Sequence, residues 1–360
     1  MTPETSPIRI AVDCMGGDHA PREIVAGALD AMETWDLALL LVGVPEQVTP
    51  LLPAGVRAGA GAPPAATRAR GIELVPSDRA VPEGAPPLKS LRAMPDASMT
   101  ITMRQVGQGR ADAAVSAGST GPTLLAAVRE VGLLEGVRRA CVGRQILGIH
   151  PETFLIDLGP TIDSEAQHLV EFAVIGATYM RVFAGIPDPT IALLSNGREA
   201  GKGNRVVKQA AQILARSGLR FTGLVEGHSF VAGGANVVVC DGFVGNVVLK
   251  SIEGLGKEIA AWLRHELAGA VPPDRLADVT DRLVEWTNPI DLHGSLPLLG
   301  VRGNVVMAHG ASDRHAIKAA IGQAVQAVRG QFVDTLRTAL AETRMHLSPP
   351  VATPSSQPGA

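Results

Sequence analysis

Short apolar runs alternate with longer amphipathic stretches along most of this 360-residue chain. The apolar runs lie at 8–12, 38–42, 72–75, 113–115, 154–156, 191–194, 237–239 and 305–308. Continuous apolar runs bounded by turn residues are typical of parallel strands that are buried on both faces. Helical spacing of apolar residues is found near 21–34, 97–107, 164–183, 204–217 and 312–343. This alternation predicts an α/β fold with a doubly wound, Rossmann-like sheet.

One long segment has no strand pattern. Residues 247–287 have the spacing of two helices separated by Pro272 and Pro273, which predicts a protruding helical hairpin. Its first helix carries an apolar stripe through Ile252, Leu255, Ile259, Trp262 and Leu263. A stripe of this length is covered either within its own subunit or by a second copy in a homodimer.

We expect a single α/β catalytic domain over residues 8–347, with the hairpin of 247–287 inside it as a dimer element. Residues 1–7 and 348–360 lack the apolar content that offsets ordering entropy, so we expect both ends to be disordered. The stretch at 53–70 is rich in Ala, Gly and Pro, which indicates a solvated segment on the surface and not an element of the core.

Composition excludes several classes of function. A net charge of −3 and an aromatic content of 3% give neither a basic field nor stacking surfaces, which argues against nucleic acid as a partner. The three cysteines stand far apart and no ligand cluster has metal spacing, so we expect no disulfide, no metal and no cofactor. No apolar run reaches the ~18 residues of a membrane span, and we expect a cytoplasmic protein.

Candidate ligand-binding residues follow the apolar runs, because open α/β sheets bind ligands beyond the carboxyl ends of their strands. After the first run come Asp13, Gly16, Gly17 and Asp18. The paired glycines permit a tight turn or close backbone approach. Asp18 has an alternative role as the cap of the helix that begins near Pro21.

A second loop offers a cradle for an anion or a carbonyl oxygen. Its small residues would leave backbone N–H groups pointing at a ligand near a helix start. They are Ser116, Gly118, Ser119, Thr120 and Gly121. The spacing G-x-S-x-G is absent, so Ser119 is interpreted as a cap or a ligand contact and not as a nucleophile.

A third loop, at 195–204, places Asn196, Lys202 and Asn204 among glycines before a helical pattern. It differs from a nucleotide P-loop, since Gly203 stands where the magnesium-binding Ser or Thr belongs. Lys202 beside free backbone donors favours phosphate binding, against the alternative of a solvated lysine.

Two further loops carry polar candidates. Asp241 and Asn246 follow the run at 237–239, and Asn246 either donates its amide to an acyl oxygen or caps a helix. His309 and Ser312 follow the last run. His309 either orients phosphate or satisfies a buried backbone carbonyl.

Five segments resemble, in order and spacing, the signatures of the PlsX-type phosphate acyltransferase family. They lie at 13–18, 116–121, 202–204, 241–246 and 308–312, and the likeness extends from residue 8 to about 343. The resemblance implies a Rossmann-like fold related to isocitrate and isopropylmalate dehydrogenases and a homodimer. It also implies transfer of a fatty acyl group from acyl carrier protein to inorganic phosphate, which supplies acyl phosphate for phospholipid synthesis.

By the same resemblance Lys202 and Asn246 are the catalytic positions. Asp18, the loop at 116–121, Asn204 and His309 shape the cleft around them. In relatives the hairpin tip touches lipid. Here the tip at 267–278 carries two acidic residues, one arginine and no large aromatic residue. We therefore expect at most weak peripheral membrane association.

The chain departs from the family's pattern at several loop positions. They are Ser119, Ser195 and the segments 144–149, 160–161 and 294–296. Two rival hypotheses therefore stay open: an altered or inactive paralogue that binds acyl carrier protein, and a phosphotransacetylase-like enzyme that uses acyl-CoA. An NAD-dependent dehydrogenase is disfavoured, because no G-x-G-x-x-G follows the first strand.

Overall fold

The computed structural model describes residues 6–53, 71–82, 84, 86–288 and 295–348. The expected disorder at 1–5 and 349–360, most of the excursion at 53–70 and the departure at Gly294 lie outside these residues. The domain limits of 8 and 347 stay a prediction.

A single mixed sheet of eleven strands forms the centre of the described molecule. The strands are β1 (Ile8–Asp13), β2 (Leu37–Gly43), β3 (Ile72–Pro76), β4 (Ala113–Ser116), β5 (Cys141–Arg144), β6 (Phe154–Ile156), β7 (Ile191–Leu194), β8 (Phe221–Val225), β9 (Val237–Val239), β10 (Ser295–Leu299) and β11 (Asn304–Ala308). Their order is β3-β2-β1-β4-β11-β10-β5-β6-β9-β7-β8. The predicted α/β class is confirmed.

Helices pack on both faces of the sheet. They are α1 (Arg22–Met32), α2 (Pro45–Val48), α3 (Pro87–Ala93), α4 (Ser98–Gly107), α5 (Thr120–Glu130), α6 (Ala166–Phe183), α7 (Arg205–Leu214), α8 (Gly227–Val231), α9 (Gly242–Glu266), α10 (Pro273–Thr287), α11 (Arg314–Arg329) and α12 (Phe332–Leu347). A 3₁₀ turn follows α2 at Thr49–Leu51.

The direction of the strands reverses in the middle of the sheet. β1 to β4 and β11 run parallel to one another, as do β6, β9, β7 and β8. Between them, β10 is antiparallel to both β11 and β5, and β5 is antiparallel to β6. The parallel strands of one half of the sheet therefore point in the opposite direction to those of the other half. The apolar runs did not predict this reversal.

A large hydrophobic cluster joins the two halves on one face. It includes Met99 of α4, Ala126 of α5, Leu155 of β6 and Leu249 of α9, all of them buried. Helices α5 and α9, from opposite halves of the sheet, therefore contribute to the same core cluster.

Two sequence expectations need correction. Three strands, β5, β8 and β10, were not predicted. The helix expected over 312–343 is two helices, because the chain turns at Gly330 and Gln331, and Gln331 adopts a left-handed φ of 49°.

Helices α9 and α10 pack against each other with their connection at residues 267–272. Arg264 of α9 donates to Thr280 of α10 at 2.9 Å and pairs with Asp281 at 2.6 Å. Among the helices of the described chain, none combines the length and apolar character needed to cross a bilayer.

Candidate active site

Asp13, at the end of β1, is bound to the loop that follows β4. Its carboxylate accepts a hydrogen bond from the Ser116 hydroxyl at 2.7 Å, and both residues are buried. Burial raises the pKa of the Asp13 carboxyl, and hydrogen bonds from Ser98, Ser116 and backbone amides partly offset the rise. Ser116 also accepts the Gly118 amide at 3.2 Å. Asp13 thus holds the two loops in register.

The glycines of this group let three loops approach closely. A Cβ atom on Gly16 would lie 2.6 Å from the Gly118 nitrogen. Gly17 has a φ of 98°, and a Cβ there would lie 2.9 Å from the Gly310 oxygen. The Asp18 amide donates to that same oxygen at 2.8 Å. The loops after β1, β4 and β11 therefore form one assembly, the first loop group.

Several polar groups of the first loop group are open to a ligand. Asp18 is exposed. Pro21 occupies the N-cap position of α1, and no side chain makes a capping hydrogen bond to this helix, so the alternative role of Asp18 as a cap is wrong. Ser119 occupies the N-cap position of α5 with no side-chain cap bond. Thr120 and Gly121 are exposed in the first turn of α5.

His309 and Ser312 complete the first loop group. His309 is exposed, and its Nδ1 accepts the Ala311 amide at 3.2 Å, so in this arrangement that nitrogen does not donate to a buried carbonyl. Ser312 is buried and its amide donates to the His309 oxygen at 3.0 Å. Its hydroxyl has no partner among the described atoms.

The second loop group lies beyond β7 and β9, which are neighbours and parallel. In the β7 loop the Asn196 side-chain oxygen accepts the Gly203 amide at 3.0 Å, which folds the loop around Lys202. The Lys202 side chain is exposed. Asn204 caps α7 by accepting the Val207 amide at 2.9 Å.

The loop after β9 leads directly into α9. Asp241 caps this helix by accepting the Val244 amide at 2.8 Å. Asn246 lies inside α9 and is exposed, so its alternative role as the cap is wrong. The Asn246 amide is thereby left for a ligand.

Asp157 is a buried residue that the sequence analysis did not single out. Its carboxylate accepts the amides of Val142 at 3.0 Å and Thr161 at 2.8 Å. A Cβ on Gly242, in the first turn of α9, would lie 2.8 Å from this carboxylate. The signal available in the sequence was an aspartate directly after an apolar run, the same signal that marked Asp13 and Asp241.

The two loop groups follow strands that run in opposite directions in the sheet, and the twist of the sheet changes the angle between those strands. Five steps separate β4 from β9 in the strand order. A twist of about 20–25° per step turns the strand direction by roughly 100–125° over that distance. The carboxyl ends of β4 and β9 are then steeply inclined to one another instead of opposed.

Known proteins resemble this chain over most of its length. A family model described as fatty acid synthesis protein matches residues 8–335. A phosphate acyltransferase from Desulfitobacterium hafniense (strain Y51) is 37% identical over 339 residues, covering 92% of this chain and 97% of the relative.

Solved structures show the fold. A phosphotransacetylase from Streptococcus pyogenes superposes with a TM-score of 0.58 at 18% identity, over 91% of this chain and 94% of that one. A Salmonella typhimurium protein described as a 4-hydroxythreonine-4-phosphate dehydrogenase gives a TM-score of 0.51 at 14% identity, over 89% and 99%. The expected family is confirmed by the model match and by the relative's identity, and the chain belongs to the fatty acid synthesis protein family, the family of the PlsX-type phosphate acyltransferases.

Proposed function

We propose that the chain transfers a fatty acyl group from acyl carrier protein to inorganic phosphate and releases acyl phosphate for phospholipid synthesis. An acyltransferase activity follows from the family. The observation that carries the proposal for the site is that Lys202 and Asn246 are both exposed, Lys202 on the loop after β7 and Asn246 near the start of the helix that follows the adjacent parallel strand β9. Asn204 and Asp241 cap the two helices, so neither Lys202 nor Asn246 is needed as a cap.

Lys202 is the proposed phosphate ligand. It precedes α7 by three positions, on the loop that leads into the start of that helix. A helix N-terminus and a lysine attract the same anion. Phosphate is already negatively charged at neutral pH, so the site needs to hold and aim it and does not need a strong base.

Asn246 is the proposed donor to the acyl oxygen. A phosphate oxygen attacks the thioester carbonyl carbon, and negative charge develops on the carbonyl oxygen. When this tetrahedral species collapses, the carbon–sulfur bond breaks and the carrier's thiolate departs, taking a proton from solvent. An amide donor placed at the developing oxyanion stabilises it more than the starting carbonyl.

The first loop group is proposed as the opposite wall of the cleft. Asp18 and His309 are exposed there, and so are Thr120 and Gly121 at the start of α5, where Ser119 is half-buried. Asp13 and Ser116 are buried and act as positioning residues that hold this wall. We assign Gly16, Gly17 and Gly118 to close packing of the backbone.

The test is synthesis of acyl phosphate from palmitoyl carrier protein and labelled phosphate by the purified chain. We expect Lys202→Ala to abolish phosphate-dependent thioester cleavage and Asn246→Ala to lower turnover by about 100-fold or more, the scale of one lost oxyanion donor. Lys208→Ala, an exposed lysine on α7, is the matched control and keeps full activity. Full activity of Lys202→Ala rejects the phosphate role.

The same assay separates the rival functions. Faster turnover with acyl-CoA than with acyl carrier protein favours a phosphotransacetylase-like enzyme. Tight binding of acyl carrier protein without turnover favours an inactive paralogue.

We further propose a homodimer in the cytoplasm, with weak peripheral membrane association at most. The support is the apolar stripe on α9, where the side chains of Leu255 and Trp262 are 63% and 59% exposed in the single chain. A second copy of the hairpin would remove this surface from water.

A further inference from the structure

Phe243 is an exposed aromatic residue in the first turn of α9. The chain has seven phenylalanines, all within the described residues, and this one alone is exposed, at 61%. Val247 follows it by four positions and is exposed as well. A single exposed apolar residue is normal on a protein surface, whereas neighbouring ones form a patch that a ligand or a partner can cover.

These apolar side chains lie next to Asn246. Asn246 stands three positions after Phe243 and directly before Val247. Residues three or four positions apart are neighbours on a helix, with Cβ atoms about 5–6 Å apart. Gly245 and Leu249 are buried and point to the opposite side of α9. The proposed donor to the acyl oxygen therefore borders an apolar surface.

The loop that follows β6 brings a third exposed apolar residue close to the start of α9. Ile162 is 65% exposed. Its neighbour Thr161 accepts the Gly242 amide at 2.8 Å, and the Thr161 amide donates to the Asp157 carboxylate at 2.8 Å. Ile162 and Phe243 each lie one residue, or about 3.8 Å of chain, from this hydrogen-bonded contact between loop and helix. We call Ile162, Phe243 and Val247 the loop–helix patch.

The charges around the loop–helix patch favour an uncharged ligand. No lysine or arginine is found at 157–164 or at 239–249, and the charged residues in these ranges are aspartates. The next cation along α9, Lys250, pairs with Glu253 at 2.6 Å. An anionic group is not attracted to such a surface, whereas an apolar chain gains by leaving water on it.

The loop–helix patch is separate from the stripe proposed for the dimer. With 3.6 residues per turn, Leu255 and Trp262 lie roughly a third of a turn around α9 from Phe243. Leu255 is also about 12 Å further along the helix axis than Val247, at 1.5 Å per residue. A dimer formed through the stripe therefore leaves room for a ligand on the patch.

From these contacts we infer that the loop–helix patch binds the acyl chain of the substrate and sets the preference for its length. The inference rests on the proposed function, because Asn246 fixes where the acyl carbonyl lies. The hydrocarbon chain that leaves this carbonyl meets Phe243 and Val247 on the helix and Ile162 on the loop. Each methylene group that the patch removes from water strengthens binding, so a longer chain gains more than a shorter one.

Binding of uncleavable acyl carrier proteins to the full chain tests the inference. In these probes a methylene group replaces the thioester sulfur and the carbonyl is kept, with a butyryl or a lauroyl chain. Calorimetry gives the ratio of the affinity for the lauroyl probe to that for the butyryl probe. We expect Phe243→Ala to lower this ratio by at least about tenfold and Ile162→Ala by about threefold, because less apolar surface covers the longer chain.

Two further variants serve as controls. Phe243→Leu keeps an apolar side chain and should retain most of the ratio. Met345→Ala removes an exposed apolar side chain from α12 and should leave the ratio as in the wild type. Equal affinities of the wild type for the two probes, binding of neither probe, or an unchanged ratio in both Phe243→Ala and Ile162→Ala overturns the inference.

Light scattering distinguishes a ligand surface from an interface between copies of the chain. We expect Phe243→Ala to keep the assembly state of the wild type, and a change of that state overturns the inference in favour of contact between copies. The thermal midpoint of both alanine variants should stay close to that of the wild type, since both side chains are exposed. Binding is measured without turnover, so a chain that selects acyl length through Phe243 and makes no acyl phosphate rejects only the proposed function.

Discussion

Asp157 is an acid that folding removes from water at the junction of β6, β5 and α9. Its side chain is fully buried, and burial raises its pKa to about 6 against the opposing hydrogen bonds of the Val142 and Thr161 amides. Its two carboxylate oxygens join the strand to the loop at 157–161, and the first turn of α9 packs directly upon it. The residue therefore sets the position from which Asn246 projects.

The raised pKa of Asp157 has a consequence for stability. In the unfolded chain an aspartate loses its proton near pH 4, whereas Asp157 in the folded chain keeps its proton to about pH 6. The folded state thus binds more protons across this window, and its free energy of unfolding falls as pH rises from about 4 to 6. The fall is on the order of 3 kcal/mol and is complete above the folded pKa.

We expect Asp157→Asn to lack this fall. The wild type should lose stability relative to the variant between pH 4 and pH 7, as measured by urea unfolding at a series of pH values. Asp188→Asn, at a side chain that is 74% exposed, serves as the control and should follow the wild type throughout. Parallel pH profiles of the wild type and Asp157→Asn would contradict the assignment.

At the scale of elements, two glycines two positions apart in α9 have opposite surroundings. A Cβ on Gly256 would overlap the Thr287 side chain of α10, whereas one on Gly254 would meet nothing within 4 Å. Gly256 is thus required for the close packing of the hairpin. Gly254 only weakens the helix, since glycine costs about 1 kcal/mol relative to alanine in a helix interior.

The two alanine variants should therefore move stability in opposite directions. Gly254→Ala is expected to raise the free energy of unfolding by about 0.5–1 kcal/mol. Gly256→Ala is expected to lower it by about 1–3 kcal/mol through overpacking. Denaturant unfolding of both variants measures the difference. Equal shifts of one sign would show that α10 does not pack on α9 through Gly256.

The elements that the sequence predicted well are those with strong periodicity. Apolar runs such as 8–12 and 237–239 became β1 and β9 nearly residue for residue. The missed strands lack that signal: β5 includes Gly143, β8 includes Gly223 with a φ of 102°, and β10 has Pro297 at its centre. Glycine and proline weaken the sequence pattern that predicts a strand, whereas hydrogen bonds to the neighbouring strands hold the strand in the folded sheet.

The missed strands also explain what could be predicted of the candidate site. Residues such as Asp13, Lys202 and Asn246 were found because the segments that follow strong strands contain them, and the family resemblance marked Lys202 and Asn246 as catalytic. Their division into two groups was not predictable, because it depends on β10 and β5 reversing the sheet.

At the scale of the whole molecule, the hairpin offers little for a lipid surface. Its connection and the start of α10 carry Asp274 and Asp278, and Arg275 pairs with Asp278 at 3.7 Å. An anionic bilayer attracts basic segments and aromatic anchors, which this tip lacks. The wild type should therefore remain in the supernatant when anionic vesicles are sedimented at physiological salt. Firm co-sedimentation would show that the tip binds lipid despite its charge.

The apolar stripe on α9 is the surface on which assembly of the whole molecule depends. Leu255, Ile259 and Trp262 lie on one side of this helix, away from α10, and together expose an apolar surface to water in the single chain. Burying an apolar surface between two subunits is favourable and stabilises a dimer, and an acidic side chain at the centre of the interface removes that stabilisation.

Trp262→Asp is expected to give monomers by light scattering at concentrations where the wild type is dimeric. Ala261→Asp places the same acid on an exposed position outside the stripe and should leave the dimer intact. A monomeric wild type would reject the homodimer, and a dimeric Trp262→Asp variant would move the interface to another surface of the chain.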